Sequence, residues 1–362
     1  MLALQFSKKN LLVVTIINFR QTRGINLKIK FLNMKYPASA ILCSFMIFAI
    51  FPTKMTAQKT SGKIKYYCSS CGCSNDGKEL DSAGKCSACG MHVLKLGGFN
   101  YQSPSVSNNG AMVYTFNKSG KNQQVCYKKN LFSKEKIIGE GSSPQISPDG
   151  KKIIFAGKEA ENKICIYDTD AGTITNISSK IDLPGVQSPV WNSVGNGIFF
   201  CAGTFPDIGV YKINIDEGKP EPVITMEGLR YAAMPSPNGK KIAYRCAKGK
   251  TNEDRQRGIA VYDLSTKEEK YITNIGEYCT WSPDGKSLAF HWPDSSDFYI
   301  YTVKADGTGL RKIAGIKGSD SELPVWSADG RKIYFQTNRS NNWEIWSMNA
   351  DGTDQKLLIR KD

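Results

Sequence analysis

The chain has 362 residues, of which 40% are hydrophobic and 22% charged, with 48 basic against 33 acidic side chains and a formal net charge of +15. These proportions are ordinary for a soluble globular protein and allow one large domain plus accessories. Residues 1–57 carry eight of the basic residues and no Asp or Glu, and the remaining excess is scattered without a long basic run, which argues against a nucleic-acid partner.

Met34-Lys35 opens a short basic region, followed by the apolar run Ala38–Phe51, the breaker Pro52 and the small-residue site Met55-Thr56-Ala57. That order predicts a secretory signal peptide over residues 34–57, with an apolar core too short to span a bilayer. Residues 1–33 read as an over-long gene start. Their own apolar patch, Leu11–Phe19, allows a second start or a short membrane-associated segment. The expected product is periplasmic or secreted, with no stable transmembrane span after signal cleavage. Export also permits disulfides, so each cysteine needs a redox reading beside a metal one.

After a linker over residues 58–65 comes a cysteine-rich stretch, residues 66–98. Cys68, Cys71, Cys86 and Cys89 form C-x2-C-x14-C-x2-C. Each C-x-x-C can present two thiolates to one ion from a tight turn, and two such turns make the tetrahedral sulfur set that Zn2+ prefers. Cys73 and His92 stand as alternate ligands. The segment is too short for a hydrophobic core of its own, so a metal or bridges would have to stabilise it. Two disulfides, or a redox-active dithiol, are the competing readings; five cysteines leave one unpaired. The run Tyr66-Tyr67-Cys68 followed by Gly84-Lys85-Cys86-Ser87-Ala88-Cys89-Gly90-Met91 resembles the small heavy-metal-binding domain of copper-efflux proteins and metal-transporting ATPases. Ser70 and Cys71 replace that family's Met and His, which implies Zn2+ more than Cu(I) or another soft metal.

From Tyr101 onward an internal repeat dominates. SPSVSNNGAMVYTF from Ser103, SPQISPDGKKIIFAG from Ser143, SPVWNSVGNGIFFCAG from Ser188, AMPSPNGKKIAYRC from Ala233, CTWSPDGKSLAFHW from Cys279 and LPVWSADGRKIYFQT from Leu323 share one pattern. Their spacing of about 40 to 46 residues suits four strands per unit of a propeller. A short strand ends near Ser-Pro, an Asx-Gly pair makes a hairpin, and further strands such as Ile164–Tyr167 and Glu344–Trp346 follow. Stacking six such units around an axis buries both faces of each sheet. The predicted fold is therefore all-β: a six-bladed propeller over residues 101–362 behind a small zinc-ribbon-like Cys knuckle. These segments resemble the TolB-like, or PD40, class of WD40-like propellers. TolB itself carries an α/β domain ahead of its propeller, and residues 58–100 are too few for one.

Cys126, Cys165, Cys201, Cys246 and Cys279 fall one per unit and read as core; Trp191, Trp281 and Trp326 recur at one position and read as packing between blades. His291 is the only histidine of the propeller, so a histidine-rich metal site like that of related propeller lyases cannot be assembled. No G-x-S-x-G marks a hydrolase. The polar loop Lys248–Gly258 is a candidate contact surface. The expectation is a non-enzymatic, exported binding or scaffold protein with no catalytic residue, whose propeller meets a protein or envelope-glycan partner. Heavy-metal handling is one alternative. Catalysis on carbohydrate or peptide is another, and it requires acidic and aromatic side chains at one mouth of the channel.

Overall fold

The computed structural model describes residues 2–7, 11–16, 64–68, 73–76, 78–118, 121–157, 163–205, 207–216, 218–248 and 256–359. The signal segment 34–57, Cys71 and most of the loop 248–258 lie outside the described residues. The chain divides into two units, Met1–Ser61 and Gly62–Asp362. In the first, the strands Leu2–Ser7 and Leu11–Ile16 pair antiparallel. Among the described residues no helix is long and apolar enough to cross a membrane.

The second unit contains a six-bladed propeller of four strands per blade. Blade 1 runs from Phe99–Val106 through Met112–Lys118 and Gln124–Lys128 into the first half of the long strand Lys136–Ile146. The second half of that strand is the innermost strand of blade 2, followed by Lys152–Gly157, Lys163–Asp168 and Ile174–Asn176. Blades 3 to 6 begin with the inner strands Gln187–Trp191, Leu229–Pro235, Glu277–Trp281 and Ser321–Trp326, and the last outer strand is Lys356–Ile359.

Every interface between neighbouring blades has its own apolar core. Val113, Ile138 and Phe155 fill the contact of blades 1 and 2, and Ile154, Trp191 and Phe200 that of blades 2 and 3. Val210 and Tyr244 join blades 3 and 4, Ile259 and Trp281 blades 4 and 5, and Ala289 and Phe335 blades 5 and 6. The ring closes where Tyr101, Tyr114 and Phe116 of blade 1 pack on Tyr334 and Ile345 of blade 6. Each blade is built from consecutive strands, so closure rests on this packing, on the Tyr101 N–H donated to the Trp343 carbonyl (2.8 Å) and on the Ser103 N–H donated to Gln336 Oε1 (2.8 Å).

The repeated Ser-x-Asx-Gly has a more specific role than a two-residue hairpin. In blade 5 the Gly285 N–H reaches the Ser282 carbonyl at 2.8 Å, with Pro283 second in the turn. The Ser282 hydroxyl donates to Asp284 at 2.6 Å, and Asp284 accepts the Lys286 N–H at 3.0 Å. Blades 2, 4 and 6 repeat this with Ser147–Asp149, Ser236–Asn238 and Ser327–Asp329. Gly285 sits at φ 68, where only glycine is unstrained. Trp191 and Trp281 donate their indole N–H to the neighbouring blade at the Gln145 and Met234 carbonyls, both at 3.0 Å. Cys126, Cys201, Cys246 and Cys279 are buried, and Cys165 is half-buried.

A second repeat is invisible in composition. Each inner strand carries a bulge whose first residue is left-handed: Ser103, Ser143, Ser188, Ala232, Tyr278 and Leu323, all with φ of 47 to 53. The register slips at these positions against the second strand of each blade. A bulge bends and twists the strand where six of them crowd round an axis. For a non-glycine residue this costs on the order of 1 kcal/mol or more.

Candidate functional site

The knuckle is a three-stranded sheet in which Tyr66–Tyr67 pairs antiparallel with both Glu79–Leu80 and Leu94–Lys95. Among the described residues its core cluster is Cys68, Cys86 and Val93, with Tyr66, Cys73 and Leu80 packed against them. The turn from Cys86 to Met91 is closed by the Gly90 N–H on the Cys86 carbonyl and the Cys86 N–H on the Met91 carbonyl, both at 2.8 Å. Gly90, at φ 74, permits that reversal.

Four sulfurs, those of Cys68, Cys73, Cys86 and Cys89, lie within 4.8 Å of one another. Cys68 stands 3.5 Å from Cys89 and 3.8 Å from Cys73, and Cys73 is 3.9 Å from Cys86. Sulfurs at ~2.3 Å from a tetrahedral Zn2+ are about 3.8 Å apart, so the set has the dimensions of a Zn–S4 site. None of these contacts approaches the ~2.05 Å of a disulfide. The backbone N–H of Ala88 holds the Cys86 thiol down to about 6, against the opposing effect of burial, and Cys89 N–H and Asn75 add to it. Asn75 also donates its backbone N–H to Cys73 Sγ at 3.4 Å. Such donors favour thiolate, the form that binds metal.

Of the sequence-derived ligands, Cys68, Cys86 and Cys89 meet here. Cys73, an alternate by sequence, takes the fourth place, and Cys71 lies outside the described residues. His92 is drawn elsewhere. Its Nε2 is 3.1 Å from Asp297 Oδ1 and 3.9 Å from Asp320. Lys85 reaches the same Asp297 oxygen at 3.1 Å and also bonds the Ser296 carbonyl. Lys85 and His92 face each other across the base of the Cys86–Cys89 turn. Asp297, in blade 5, therefore pins both sides of that turn to the propeller. Lys95 adds a backbone bond to Asn341 of blade 6 at 2.7 Å, and Asn100 bonds the Tyr67 hydroxyl at 3.2 Å.

Burial opposes ionisation of Asp297, but the Gly318 N–H, Lys85 and His92 outweigh it and hold the carboxyl down to about 2. A depressed carboxylate stabilises fully above its unfolded pKa of 3.8 and loses that contribution as pH falls through about 2. Asp297→Ala is expected to release the knuckle at neutral pH, and charge-assisted bonds of about 1.5–3 kcal/mol imply at least about tenfold faster tryptic cleavage within residues 64–98. Unchanged cleavage would remove Asp297 from this role.

The channel has two unlike ends. From the bulges to the Ser-x-Asx-Gly turns it opens as a funnel of about 540 Å³ whose lining holds no charged residue; Pro104, Pro189, Pro324, Trp191, Trp281 and Trp326 contribute much of the wall. The residues just before the bulges form the opposite mouth, on the side that carries the knuckle contacts. Here Arg245 lies 3.0 Å from Glu277, bonds the Tyr231 hydroxyl and stacks over the Tyr231 ring at 4.8 Å. Tyr278, a bulge residue that also lines the inner end of the funnel, is 42% exposed, stacks on His291 at 5.7 Å and meets Tyr231 edge-on at 5.8 Å. Gln336 holds Glu322 at 3.0 Å. Burial pushes the Glu322 carboxyl up to about 8, with Asp320 and Glu277 adding to it against the Gln336 bond. His291, buried, is pushed down to about 3 and accepts the Leu323 N–H on Nδ1 at 3.3 Å. Sequence reasoning singled out none of Arg245, Glu277, Tyr278 and Glu322. The available signal for Glu277, Tyr278 and Glu322 was their repeat position: they are charged or bulky where blades 1 to 3 have Gln102, Ser142, Gln187 and the three serines, whereas Arg245 lies on the second strand of blade 4.

A family model described as the TolB beta propeller domain matches residues 236–361. The propeller is TolB-like. Tol-Pal system protein TolB of Francisella tularensis subsp. tularensis is 30% identical over 111 residues, 31% of this chain and 25% of that protein. The chain thus spans about a quarter of the length of the curated relatives it matches. TolB from Acinetobacter baumannii superposes with a TM-score of 0.54 at 19% identity, over 72% of this chain and 62% of that one. The β-propeller domain of the trilobed protease from Pyrococcus furiosus, described as having an open velcro topology, gives 0.52 at 15% identity, over 73% and 98%. At such identities these likenesses concern fold alone. The TolB-like propeller of this chain also closes without a strand exchanged between its first and last blades.

Proposed function

We propose that this chain is an exported, periplasmic, envelope-associated binding protein. Its knuckle holds Zn2+ through Cys68, Cys73, Cys86 and Cys89, and its rigid propeller presents the knuckle-bearing face to a protein or envelope-glycan partner. The observation that carries the metal reading is the 3.5–3.9 Å spacing of the sulfurs. Four thiolates leave no open position, so the ion would act structurally, stabilising a segment whose apolar core is three residues. The likeness to TolB supports the envelope placement and the role of binding a protein.

One observation favours metal handling as a second reading. Cys89 is exposed and Met91 is 45% exposed on the same turn, so soft ligands face solvent. No catalytic role is proposed for the charged mouth, where Glu277 is committed to Arg245 and His291 is buried. Metal analysis of the exported protein tests both readings. One Zn per chain that survives mild chelation supports the structural ion, ready displacement by Cu(I) supports handling, and a metal-free, disulfide-bonded protein refutes both.

A further inference from the structure

The mouth on the knuckle side holds an acidic side chain that no cation pairs among the described residues. Arg245 is spent on Glu277. Glu322, half-buried on the innermost strand of blade 6, accepts a hydrogen bond from the neutral Gln336 amide and takes part in none of the ion pairs among the described residues. Asp320, two residues earlier, shares its own carboxylate with the Asn338 amide and the Phe298 N–H. An aromatic surface adjoins this carboxylate: Leu323, next in the chain, donates its N–H to His291 at 3.3 Å, and the His291 ring stacks on Tyr278 at 5.7 Å. Tyr278 is the bulge residue of blade 5, where blades 1 to 3 have serine, and it holds a left-handed φ of 47 with the residue 42% exposed.

We propose that this mouth binds an alkylammonium group, its charge taken by Glu322 and its hydrocarbon chain by the ring of Tyr278. A carboxylate without a cation beside an accessible aromatic face is the constellation that attracts such a group. The small residues at the bulges of blades 1 to 3 leave room across the axis from Tyr278. The same chemistry is offered by a free polyamine and by a lysine side chain of a protein partner. The inference deepens the reading of the propeller as a binding module and is independent of the metal. Metal content and partner capture test that reading separately, so either can fail alone.

The site has a proton signature. The groups facing Glu322 are Asp320 on its own segment, Glu277 and Tyr278 from blade 5, Gln336 from its own blade, and beyond them Arg245 and the neutral His291. Glu322 is raised towards 8, so below that pH a bound cation must displace its proton. Calorimetric titration of the full chain with putrescine across about pH 6.5–8.5 should therefore show affinity climbing by up to about tenfold per unit below about 8, with proton uptake by the buffer, and levelling off above it while the amine stays charged. Glu322→Gln keeps the Gln336 contact and should abolish both the binding and the proton release; Tyr278→Ser should weaken binding severalfold. Glu344→Gln, on the second-from-outer strand of blade 6, should change neither. A lysine-bearing tetrapeptide with blocked termini is the second probe, and tighter binding of the peptide or of putrescine assigns the source. No binding of either probe at millimolar concentration, equal binding of uncharged butane-1,4-diol, or full binding by Glu322→Gln overturns the proposal.

Discussion

Cys73→Ser is expected to lower the zinc affinity of the knuckle by more than about a hundredfold, because losing a direct ligand should exceed the 10–100-fold cost of losing an outer-shell partner. Cys71→Ser is expected to leave it within a few-fold of the parent, since the sulfurs of Cys68, Cys73, Cys86 and Cys89 already lie within 4.8 Å of one another, enough for a four-coordinate site. Cys86→Ser should act like Cys73→Ser and should also unfold the knuckle, whose core is Cys68, Cys86 and Val93. The six cores between blades do not include these residues, so the melting of the propeller should persist. Competition with a chromophoric chelator reads the affinity, and hydrogen exchange over residues 64–98 reads the folding. If Cys71→Ser loses the metal and Cys73→Ser keeps it, the C-x2-C assignment from spacing is right and the Cys73 assignment is wrong.

Arg230→Met is expected to destabilise the propeller by about 3–5 kcal/mol, the usual cost of orphaning one member of a buried ion pair. Arg230 is fully buried on the inner strand of blade 4. Its Nη1 donates to the Met226 carbonyl at 2.6 Å and the Glu227 carbonyl at 2.9 Å, and its Nη2 is 3.4 Å from Glu269. The Tyr244 hydroxyl also bonds Glu269. Without Arg230 the loop carbonyls lose their donor and Glu269, nearly buried, loses the guanidinium beside it. In a domain of this size the loss should lower the melting temperature by roughly 10 °C. The double variant Arg230→Met/Glu269→Met should recover much of that loss, because a buried pair contributes little more than an apolar replacement. A shift under about 2 °C for Arg230→Met would show that the pair is not holding the blade.

Much of the propeller was legible because its signals are local. Asx-Gly turns at a spacing of about 40 to 46 residues, tryptophans at one repeat position and strands between them follow from backbone stereochemistry and burial. The thiol site was legible in type but not in detail. Two Cys pairs near one another announce a sulfur-rich site, but Cys71 and Cys73 are two residues apart, and sequence spacing does not say which thiol a turn brings inward. That Cys73 stands among the sulfurs depends on where the turn carrying Asn75 places its N–H groups. The place of His92 depends on the tertiary structure for a similar reason. Its proximity to Cys89 suggested a ligand, yet its ring reaches a carboxylate 205 residues away.

By itself, the sequence determined the all-β class, the six-fold repeat, the likeness to TolB and the presence of a sulfur-rich knuckle. Each rests on patterns within a few residues or on a constant period. The tertiary structure alone decided that the knuckle is clamped by Asp297, that the channel has an uncharged funnel at one end, and that Arg245, Glu277, Tyr278 and Glu322 meet at the other. Those residues come from three successive blades and are separated by up to 77 positions, from 245 to 322. Only closing the ring brings them to a common axis, Glu277, Tyr278 and Glu322 from the inner strands at or beside their bulges and Arg245 from the second strand of blade 4.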